Sequence, residues 1–257
     1  MTDFSLQGKV ALITGGSRGI GRAIALRFAR AGAAIVVSSR KLANVESVAG
    51  EITALGGQAL AIEAHVGETP AIAQLVQRTI ETWGQIDIVV NNAATNPHFG
   101  PLLTADEGQW DKILDTNVKG IFRVCRAAVP HMQKQGGGKI INLASTAGLQ
   151  PSPAMGVYGI SKAAVIMLTK VLALELGHAR IQVNAIAPGI IKTRFSQVLW
   201  QTPQIAEPVL KTLPLGRFGE PDEVSGLALY LASPASDYVT GAVFLVDGGM
   251  SISTPIA

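Results

Sequence analysis

Short apolar segments alternate with longer amphipathic stretches along the whole chain, and this alternation is what most constrains the fold. The first segment, Lys9–Thr14 (KVALIT), ends in two glycines and is followed by a helical pattern up to Gly32. Strands that are apolar on both faces are typical of a parallel sheet covered by helices. We therefore predict one doubly wound α/β domain over residues 1–257, with a seven-stranded parallel sheet and helices on both faces. The predicted strands are Lys9–Thr14, Ala34–Ser39, Ala59–Ala64, Ile86–Asn91, Lys139–Ala144, Arg180–Ala187 and Val243–Val246.

The segments between the strands have helical periodicity, with one exception. The residues from Ile190 to Gly219 show no clear period and are rich in Pro, Thr and Leu. A segment of this length without periodicity is more often functional than structural, so we predict a substrate lid at about 190–219. The predicted helices are Ile20–Ala31, Ala43–Leu55, Pro70–Trp83, Ala105–Gln135, Ala154–His178 and Asp222–Ala232.

Composition and termini exclude several classes of protein. The chain is 48% hydrophobic and 15% charged, as expected of a globular protein, and its single cysteine, Cys125, excludes a disulfide framework. A net charge of +3 without a basic run does not indicate a nucleic-acid partner, and the scattered histidines indicate no metal site. We find no secretory signal at Met1–Lys9, no targeting tripeptide at the end of Thr254–Ala257 and no uninterrupted membrane span. We therefore expect a cytoplasmic protein without a membrane partner.

A glycine-rich loop joins the first strand to the first helix. In Thr14–Gly21 (TGGSRGIG), glycines allow a tight turn and close approach of a pyrophosphate to backbone N–H groups. Gly15–Gly19 also matches the G-x-S-x-G nucleophile elbow of α/β-hydrolases. That fold needs a catalytic histidine late in the chain, whereas the last histidine here is His178. The pattern therefore favours dinucleotide binding.

The second strand ends without the carboxylate that usually binds the ribose 2′-hydroxyl of NAD. Ser39, Arg40 and Lys41 stand there instead. Arg40, together with Arg18 of the glycine loop, offers planar cations that suit a 2′-phosphate. We predict NADP(H) as the cofactor. The alternative is that both arginines are solvated surface residues.

Tyr158 and Lys162 are four residues apart in a predicted helix and therefore share one face. An ammonium beside a phenol lowers the pKa of the phenol, which can then exchange a proton with a carbonyl or alcohol oxygen. Ser145 follows the fifth strand at the ligand-binding edge of the sheet, where its hydroxyl can stabilise charge on the same oxygen. Asn117 is placed mid-helix. Each also has a structural interpretation: an exposed helix pair, a turn residue or a polar core residue.

Taken together in this order and spacing, these motifs resemble the short-chain dehydrogenase/reductase family over essentially the whole chain. The resemblance implies a Rossmann fold and a nicotinamide-dependent oxidoreductase. It is closest to the branch of NADPH-dependent carbonyl reductases and retinol dehydrogenases, through SSRK, HVG, NAATNPHFG and APGIIKTRFSQVLW. The motifs shared with the whole family are Thr14–Gly21, Asn91–Ala94 (NNAA), Asn117, Ser145, Tyr158–Lys162 (YGISK) and Pro188–Thr193 (PGIIKT).

The resemblance also implies a role for each residue. Tyr158 is the expected general acid, while Lys162 lowers its pKa and binds the nicotinamide ribose. Ser145 is expected to polarise the substrate carbonyl, and Asn117 to hold a water that connects Lys162 to a proton relay. The implied cofactor-binding residues are Gly15, Ser17, Arg18, Ile20, Ser39, Arg40, His65, Val66, Asn92, Ala93, Tyr158, Lys162, Pro188, Gly189, Ile191 and Thr193.

The chain departs from the family pattern at two positions. Ala94 replaces a common glycine, and His65 replaces an aspartate that often contacts the adenine amino group. We expect the methyl group of Ala94 to leave cofactor binding intact. For His65 two roles remain open, contact with the adenine and capping of a loop.

The expected function is reversible, NADPH-dependent reduction of an aldehyde or ketone, with a small-molecule carbonyl or alcohol as partner. Alternatives are a β-ketoacyl-thioester (acyl-carrier-protein) reductase, for which Arg123 and Arg126 are candidate contacts, and a non-catalytic NADP(H) sensor. The resemblance implies a homotetramer or dimer formed by the two long helices and the C-terminal strand. Two alternatives also remain for three apolar lid residues, which either close over an aromatic substrate or pack the lid onto the body. These residues are Phe195, Leu199 and Trp200.

Overall fold

The computed structural model describes residues 4–253, and a seven-stranded parallel sheet forms its centre. The strands pair in the order β3-β2-β1-β4-β5-β6-β7, and every neighbouring pair is parallel. The predicted fold class is therefore confirmed. The strands are β1 (Val10–Thr14), β2 (Ala34–Ser39), β3 (Ala59–Glu63), β4 (Ile88–Asn91), β5 (Gly138–Leu143), β6 (Ile181–Pro188) and β7 (Val243–Val246).

Helices cover both faces of this sheet because the central strands are apolar at successive positions. In β1, Leu12 packs into the core on one face, while Ala11 and Ile13 pack into the core on the other. Successive side chains of a strand point to opposite faces, so β1 buries all five of its residues. The helices are α1 (Gly19–Arg30), α2 (Leu42–Ala54), α3 (Thr69–Trp83), α4 (Glu107–Leu114), α5 (Gly120–Lys134), α6 (Gly156–Leu176), α7 (Gln197–Gln201), α8 (Pro203–Thr212) and α9 (Pro221–Ala232).

The two cores are built by different helices. On the face of Leu12 lie apolar residues of α3, α5 and α6, and on the opposite face lie those of α1, α2 and α9. A third, small cluster consists of Ala206, Leu213 and Phe218 and belongs to the lid. The lid therefore has a core of its own.

The structure corrects two of the predicted elements. The long helix predicted at 105–135 is divided into α4 and α5 by a π-helical turn, Asp115–Lys119. The lid, predicted to be irregular, contains α7 and α8. Pro203 is compatible with α8 because it occupies the first turn, where its missing N–H costs nothing.

The strand order reverses beside β1, which pairs with β2 on one side and β4 on the other. In parallel sheets such a reversal opens a crevice at the carboxyl ends of the strands. Thr14 of β1 and Asn91 of β4 are partners in register, so the residues that follow them meet at this crevice.

By length and composition alone, residues Gly156–Ala179 have the apolar character of a membrane span, with a mean hydropathy of 1.6. The sequence analysis predicted no uninterrupted membrane span because Gly159, Lys162 and Lys170 interrupt this stretch. Core helices of soluble proteins pass the same test, and α6 packs beside β6, so one such helix is weak evidence for a membrane. The expectation of no targeting tripeptide concerns Thr254–Ala257, which lies outside the described residues.

Candidate active site

A cavity of about 570 Å³ opens at the carboxyl edge of the sheet and continues under the lid. Every residue predicted to bind the cofactor lines it, and Ser145 lines it as well. Of the whole predicted set, only Asn117 is absent from its walls. The structure therefore brings the predicted residues together, while the role of each stays a prediction.

The glycine loop is fixed by Asn92, which follows β4. The Asn92 side-chain amide donates hydrogen bonds to the carbonyl oxygens of Thr14 (3.1 Å) and Gly15 (2.9 Å). Gly15 has a positive φ of 65°, and a Cβ there would lie 2.7 Å from Asn92 Nδ2. The loop leads into the N-terminus of α1, where free N–H groups favour an anion. This geometry fits the pyrophosphate of a dinucleotide.

Two arginines make part of the cavity wall cationic. Arg18 and Arg40 both line it, and no Asp or Glu does so among residues 4–253. Glu63, at the end of β3, is paired in register with Ser39. Its side chain accepts a hydrogen bond from the backbone N–H of Leu42 instead (3.2 Å). These residues fit a nicotinamide dinucleotide with a negatively charged ribose.

Tyr158 and Lys162 are both buried on the face of α6 that closes the cavity. The Lys162 ammonium donates a hydrogen bond to the carbonyl oxygen of Leu143 (2.6 Å) and lies 5.6 Å from the centre of the Tyr158 ring. Ser145 follows β5, and its hydroxyl also accepts a hydrogen bond from the N–H of Ala147 (3.2 Å). Ser145 is therefore both the cap of a short turn and a cavity residue.

Burial is the main cause of the pKa shifts of Tyr158 and Lys162. It raises the pKa of Tyr158 to about 12, and a hydrogen bond with Ser145 offsets only part of this rise. It also lowers the pKa of Lys162 to about 8, because desolvation disfavours the ammonium. The expectation that Lys162 lowers the pKa of Tyr158 is wrong for this structure, since desolvation outweighs the other effects. The phenol is held in its neutral form, which is the form that donates a proton.

Asn117 is fully buried in the π-helical turn, and its side chain joins two other segments. Its Oδ1 accepts a hydrogen bond from the N–H of Thr95 (2.8 Å). Its Nδ2 donates to Thr95 O and to Ser161 Oγ, both at 3.0 Å. These contacts tie the segment after β4 to α6 and so position Tyr158. The expected water-binding role of Asn117 stays a prediction.

His65 lines the cavity beside Val66 and stabilises its own turn. Its Nδ1 accepts a hydrogen bond from the N–H of Gly67 (2.8 Å). Burial is the main cause that lowers the pKa of His65, followed by the charge of Lys112. Of the two roles left open, capping of a loop is present in the structure, and the other ring nitrogen remains available to a ligand.

The three apolar lid residues divide between the two roles left open for them. Phe195 is half exposed, with its ring centre 5.7 Å from that of Tyr158, and Leu199 also lines the cavity. Trp200 instead packs in the lid cluster, and its indole N–H donates to Thr193 O (3.2 Å). In the lid, Phe195 and Leu199 therefore form an apolar part of the cavity wall, while Trp200 stabilises the packing of the lid itself.

Sequence reasoning missed part of the cavity wall. Ile205 and Val209 of α8 line it, and their spacing of four residues is a helical signal that was overlooked beside Pro203 and Pro208. Met250 near the end of the chain also lines the cavity, although nothing in its sequence context indicates this.

Comparisons with known proteins agree with this geometry. Residues 15–251 match the family model described as "Enoyl-(Acyl carrier protein) reductase". "Dehydrogenase/reductase SDR family member 4" from Bos taurus is 43% identical over 244 residues, which cover 95% of this chain and 88% of that protein. The protein of the same name from Caenorhabditis elegans is 40% identical, with 95% of both chains covered. The chain belongs to the short-chain dehydrogenase/reductase family.

Solved structures of this family share the whole fold. A gluconate 5-dehydrogenase from Burkholderia cenocepacia, in complex with NADP and tartrate, superposes with a TM-score of 0.94 at 35% identity. The alignment covers 98% of this chain and 99% of that one. A 7α-hydroxysteroid dehydrogenase complexed with NADH and 7-oxo glycochenodeoxycholic acid has a TM-score of 0.92 at 36% identity, with 96% of both chains covered. Short-chain dehydrogenases/reductases use NAD(P)(H), and this chain is therefore an oxidoreductase that acts on a small molecule.

Proposed function

We propose that this short-chain dehydrogenase/reductase uses NADPH to reduce an aldehyde or ketone to an alcohol, reversibly. The observation that carries the proposal is the buried, neutral phenol of Tyr158, which lies in the same cavity as the glycine loop. Phe195 and Leu199 form an apolar wall of this cavity. This wall favours aromatic carbonyl compounds, and dicarbonyl compounds are further candidates.

The bound nicotinamide supplies the hydride in reduction and accepts it in oxidation. The protein's own residues handle the proton. Ser145 donates a hydrogen bond to the substrate oxygen, and the hydroxyl of Tyr158 gives its proton to the same oxygen. Lys162, with a pKa of about 8, is mostly protonated at neutral pH and stabilises the phenolate that remains.

The proposed preference for NADPH rests on Arg18 and Arg40. Related structures contain NADH in one case and NADP in another, so the family alone does not decide between them. We expect the double variant Arg18→Ala/Arg40→Ala to lower the ratio of kcat/KM for NADPH over NADH about 10- to 100-fold, since two charge-assisted contacts are lost. An unchanged ratio would contradict the assignment.

A second candidate is reduction of a β-ketoacyl thioester on an acyl carrier protein, which the description of the matching family model favours. An acidic carrier would need a basic surface near the cavity. Both arginines line a second groove together with Lys119 and Phe122. Arg123 is paired with Asp115 (2.6 Å), whereas Arg126 is exposed, so Arg126 is the one more available to an acidic carrier.

The test follows oxidation of NADPH and NADH with a panel of aromatic aldehydes, ketones, dicarbonyl compounds and acetoacetyl thioester. The control is Tyr158→Phe, which removes only the proton donor. Turnover of aromatic or dicarbonyl compounds that this variant abolishes supports the proposal, and turnover of the thioester alone supports the second candidate. Tight NADPH binding without turnover of any compound would favour the sensor.

We also propose that the chain assembles as a homotetramer or dimer in the cytoplasm. Large apolar side chains are exposed on α6, where Leu174 is 85% and Met167 59% accessible, and Leu245 is exposed on the edge strand β7. Such surfaces support contacts between copies of the chain. Light scattering coupled to gel filtration tests the assembly, and a monomer at micromolar concentration would contradict it.

A further inference from the structure

Arg194 is a charged residue of the cavity wall to which neither the family resemblance nor the proposed mechanism gives a role. The other cations there are Arg18 and Arg40, assigned to a 2′-phosphate, and Lys162, bonded to Leu143. Arg194 is exposed and has no hydrogen-bond or ion-pair partner within residues 4–253. A guanidinium in the cavity wall is therefore without a counter-charge among the residues that the structure describes.

The backbone around Arg194 is held in place, which gives its side chain a defined origin. Ser196 Oγ donates to the carbonyl oxygen of Ile191 and lies 3.0 Å from Thr193 Oγ1. The indole of Trp200 donates to Thr193 O (3.2 Å). A flexible side chain on a fixed turn costs less entropy to order than a side chain on a mobile loop.

Arg194 lines the same cavity as Tyr158, and no carboxylate of residues 4–253 lines that cavity. The ring centre of Phe195, the next residue, lies 5.7 Å from that of Tyr158. By contrast, Lys192 is not part of the cavity wall and is paired with Glu220 (2.8 Å). Apolar residues that line the cavity together with Arg194 include Phe99, Leu199, Ile205, Val209 and Met250, and the polar Ser152 and Ser196 line it as well.

We propose that Arg194 binds a carboxylate of the substrate, so that the enzyme prefers carbonyl compounds with an apolar body and an acidic group away from the reacting carbon. The inference rests on the proposed function and names its substrate class. A guanidinium binds a carboxylate through two parallel hydrogen bonds, which also orients the apolar body across the cavity. No covalent step is added to the reaction.

The cofactor is the other source of negative charge near Arg194. Thr193 lies against the glycine loop, since a Cβ on Gly19 would be 3.1 Å from Thr193 Cγ2. Arg194 follows Thr193 directly and is therefore close to the expected pyrophosphate. The experiment must distinguish a substrate carboxylate from this phosphate.

The test compares para-formylbenzoate with its methyl ester, which have the same ring and aldehyde but differ in charge. For Arg194→Gln we expect the ratio of kcat/KM for acid over ester to fall about 10-fold, mainly through KM, as one charge-assisted contact is lost. The matched control is Lys192→Gln, which removes a lid cation outside the cavity and should leave the ratio unchanged. Fluorescence titration of NADPH should give the same Kd for both variants and the wild type.

Two kinetic results would overturn the inference. One is an unchanged kcat/KM for both the acid and the ester in Arg194→Gln. The other is an equal loss with acid and ester together with weaker NADPH binding, which would assign Arg194 to the cofactor.

Calorimetric titration of para-formylbenzoate into protein loaded with NADP⁺, which has no hydride to transfer to the aldehyde, decides the question without turnover. Weaker binding to Arg194→Gln supports the inference, and equal binding contradicts it. If the acid binds through Arg194 but no carbonyl in the panel is reduced, the proposed function fails and only the contact between Arg194 and a carboxylate stands. If aldehydes are reduced and the acid binds equally to both proteins, the inference alone fails.

Discussion

The two sides of the cavity are built in different ways. On the glycine-loop side, the wall consists mainly of backbone at the ends of buried strands, and Asn92 bonds it to the neighbouring strand. On the lid side, the wall consists of side chains on α7, α8 and the turn that precedes α7, where Phe195 is half exposed. In the proposed function, residues of the first side bind the cofactor and residues of the second side contact the substrate. Side chains on the lid side can therefore be substituted without loss of stability in the sheet.

The difference extends to stability. The cores on both faces of the sheet include long runs of fully buried residues, whereas the lid buries only Ala206, Leu213 and Phe218 in its own cluster. Segments with few buried apolar contacts open locally at low free-energy cost. Substitutions on the sheet side should therefore affect catalysis and stability strongly, and those on the lid side weakly.

The largest effect is expected for Lys162→Met. It should lower kcat/KM about 10²- to 10⁴-fold, because the phenolate of Tyr158 loses its stabilising charge. It should also increase the free energy of unfolding at neutral pH by about 1–3 kcal/mol. Burial lowers the pKa of Lys162 from 10.5 to about 8, and a shift of one pKa unit corresponds to about 1.4 kcal/mol.

Because the pKa of Lys162 is lower in the folded chain than in the unfolded chain, the effect of Lys162→Met on the free energy of unfolding depends on pH. The unfolded chain binds this proton more tightly than the folded one, so the charged lysine destabilises the fold below about pH 8. The cost disappears as the pH rises to the unfolded pKa of 10.5, and the gain in Lys162→Met should disappear with it. Urea unfolding at both ends of this range measures the difference. A gain that does not change with pH would show that packing, and not charge, is its cause.

Gly21→Ala tests the glycine-loop side of the cavity, where the wall is mainly backbone. A Cβ on Gly21 would collide with the carbonyl oxygen of Gly15 and lie 2.5 Å from Asn92 Nδ2. Because backbone cannot move aside as a side chain does, we expect NADPH affinity to fall at least about 10-fold and stability by about 1–3 kcal/mol. The control is Gly50→Ala on α2, where the Cβ meets open space and stability should rise by about 0.5–1 kcal/mol.

The sequence could predict the features that depend on local motifs, and it missed those that depend on contacts between distant residues. The strands follow from uninterrupted apolar runs, so β2 and β7 were predicted to the residue, and the glycine loop with Tyr158 and Lys162 followed from local motifs. The π-helical turn at Asp115–Lys119 has no local signal, because Asn117 is held by bonds to Thr95 and Ser161, residues distant in sequence.

The pKa of Tyr158 was predicted in the wrong direction for a related reason. The spacing of Tyr158 and Lys162 gives their shared face, but burial depends on the surrounding fold. The position of Arg194 in the cavity wall was also missed, since a lone arginine in an aperiodic segment gives no pattern. Its place in the cavity depends on the hydrogen bonds of Ser196 and Trp200.

On the lid side, Ser196→Ala should have a moderate effect. It removes the hydrogen bond from Ser196 to Ile191 O and the contact with Thr193, at a net cost of about 1 kcal/mol. We expect hydrogen exchange at residues 193–200 to accelerate about three- to tenfold. Thr212→Val is the control, since the Thr212 hydroxyl bonds only within α8, to Val209 O. Equal acceleration in both variants would mean that the whole lid, and not this turn, had opened.

The smallest effect is expected at Ala154, in the loop that faces the lid across the cavity. Its φ is 60°, a left-handed conformation that costs a residue with a Cβ about 1 kcal/mol. Glycine avoids this cost but loses more freedom on folding, so Ala154→Gly should increase the free energy of unfolding by only about 0.5 kcal/mol. The same substitution at Ala73, exposed within α3, should decrease it by about 0.5–1 kcal/mol. If the backbone at Ala154 is strained, urea unfolding should show a higher free energy of unfolding for Ala154→Gly and a lower one for the Ala73 variant. If both lose stability, that strain is absent and the two sides of the cavity differ in side chains alone.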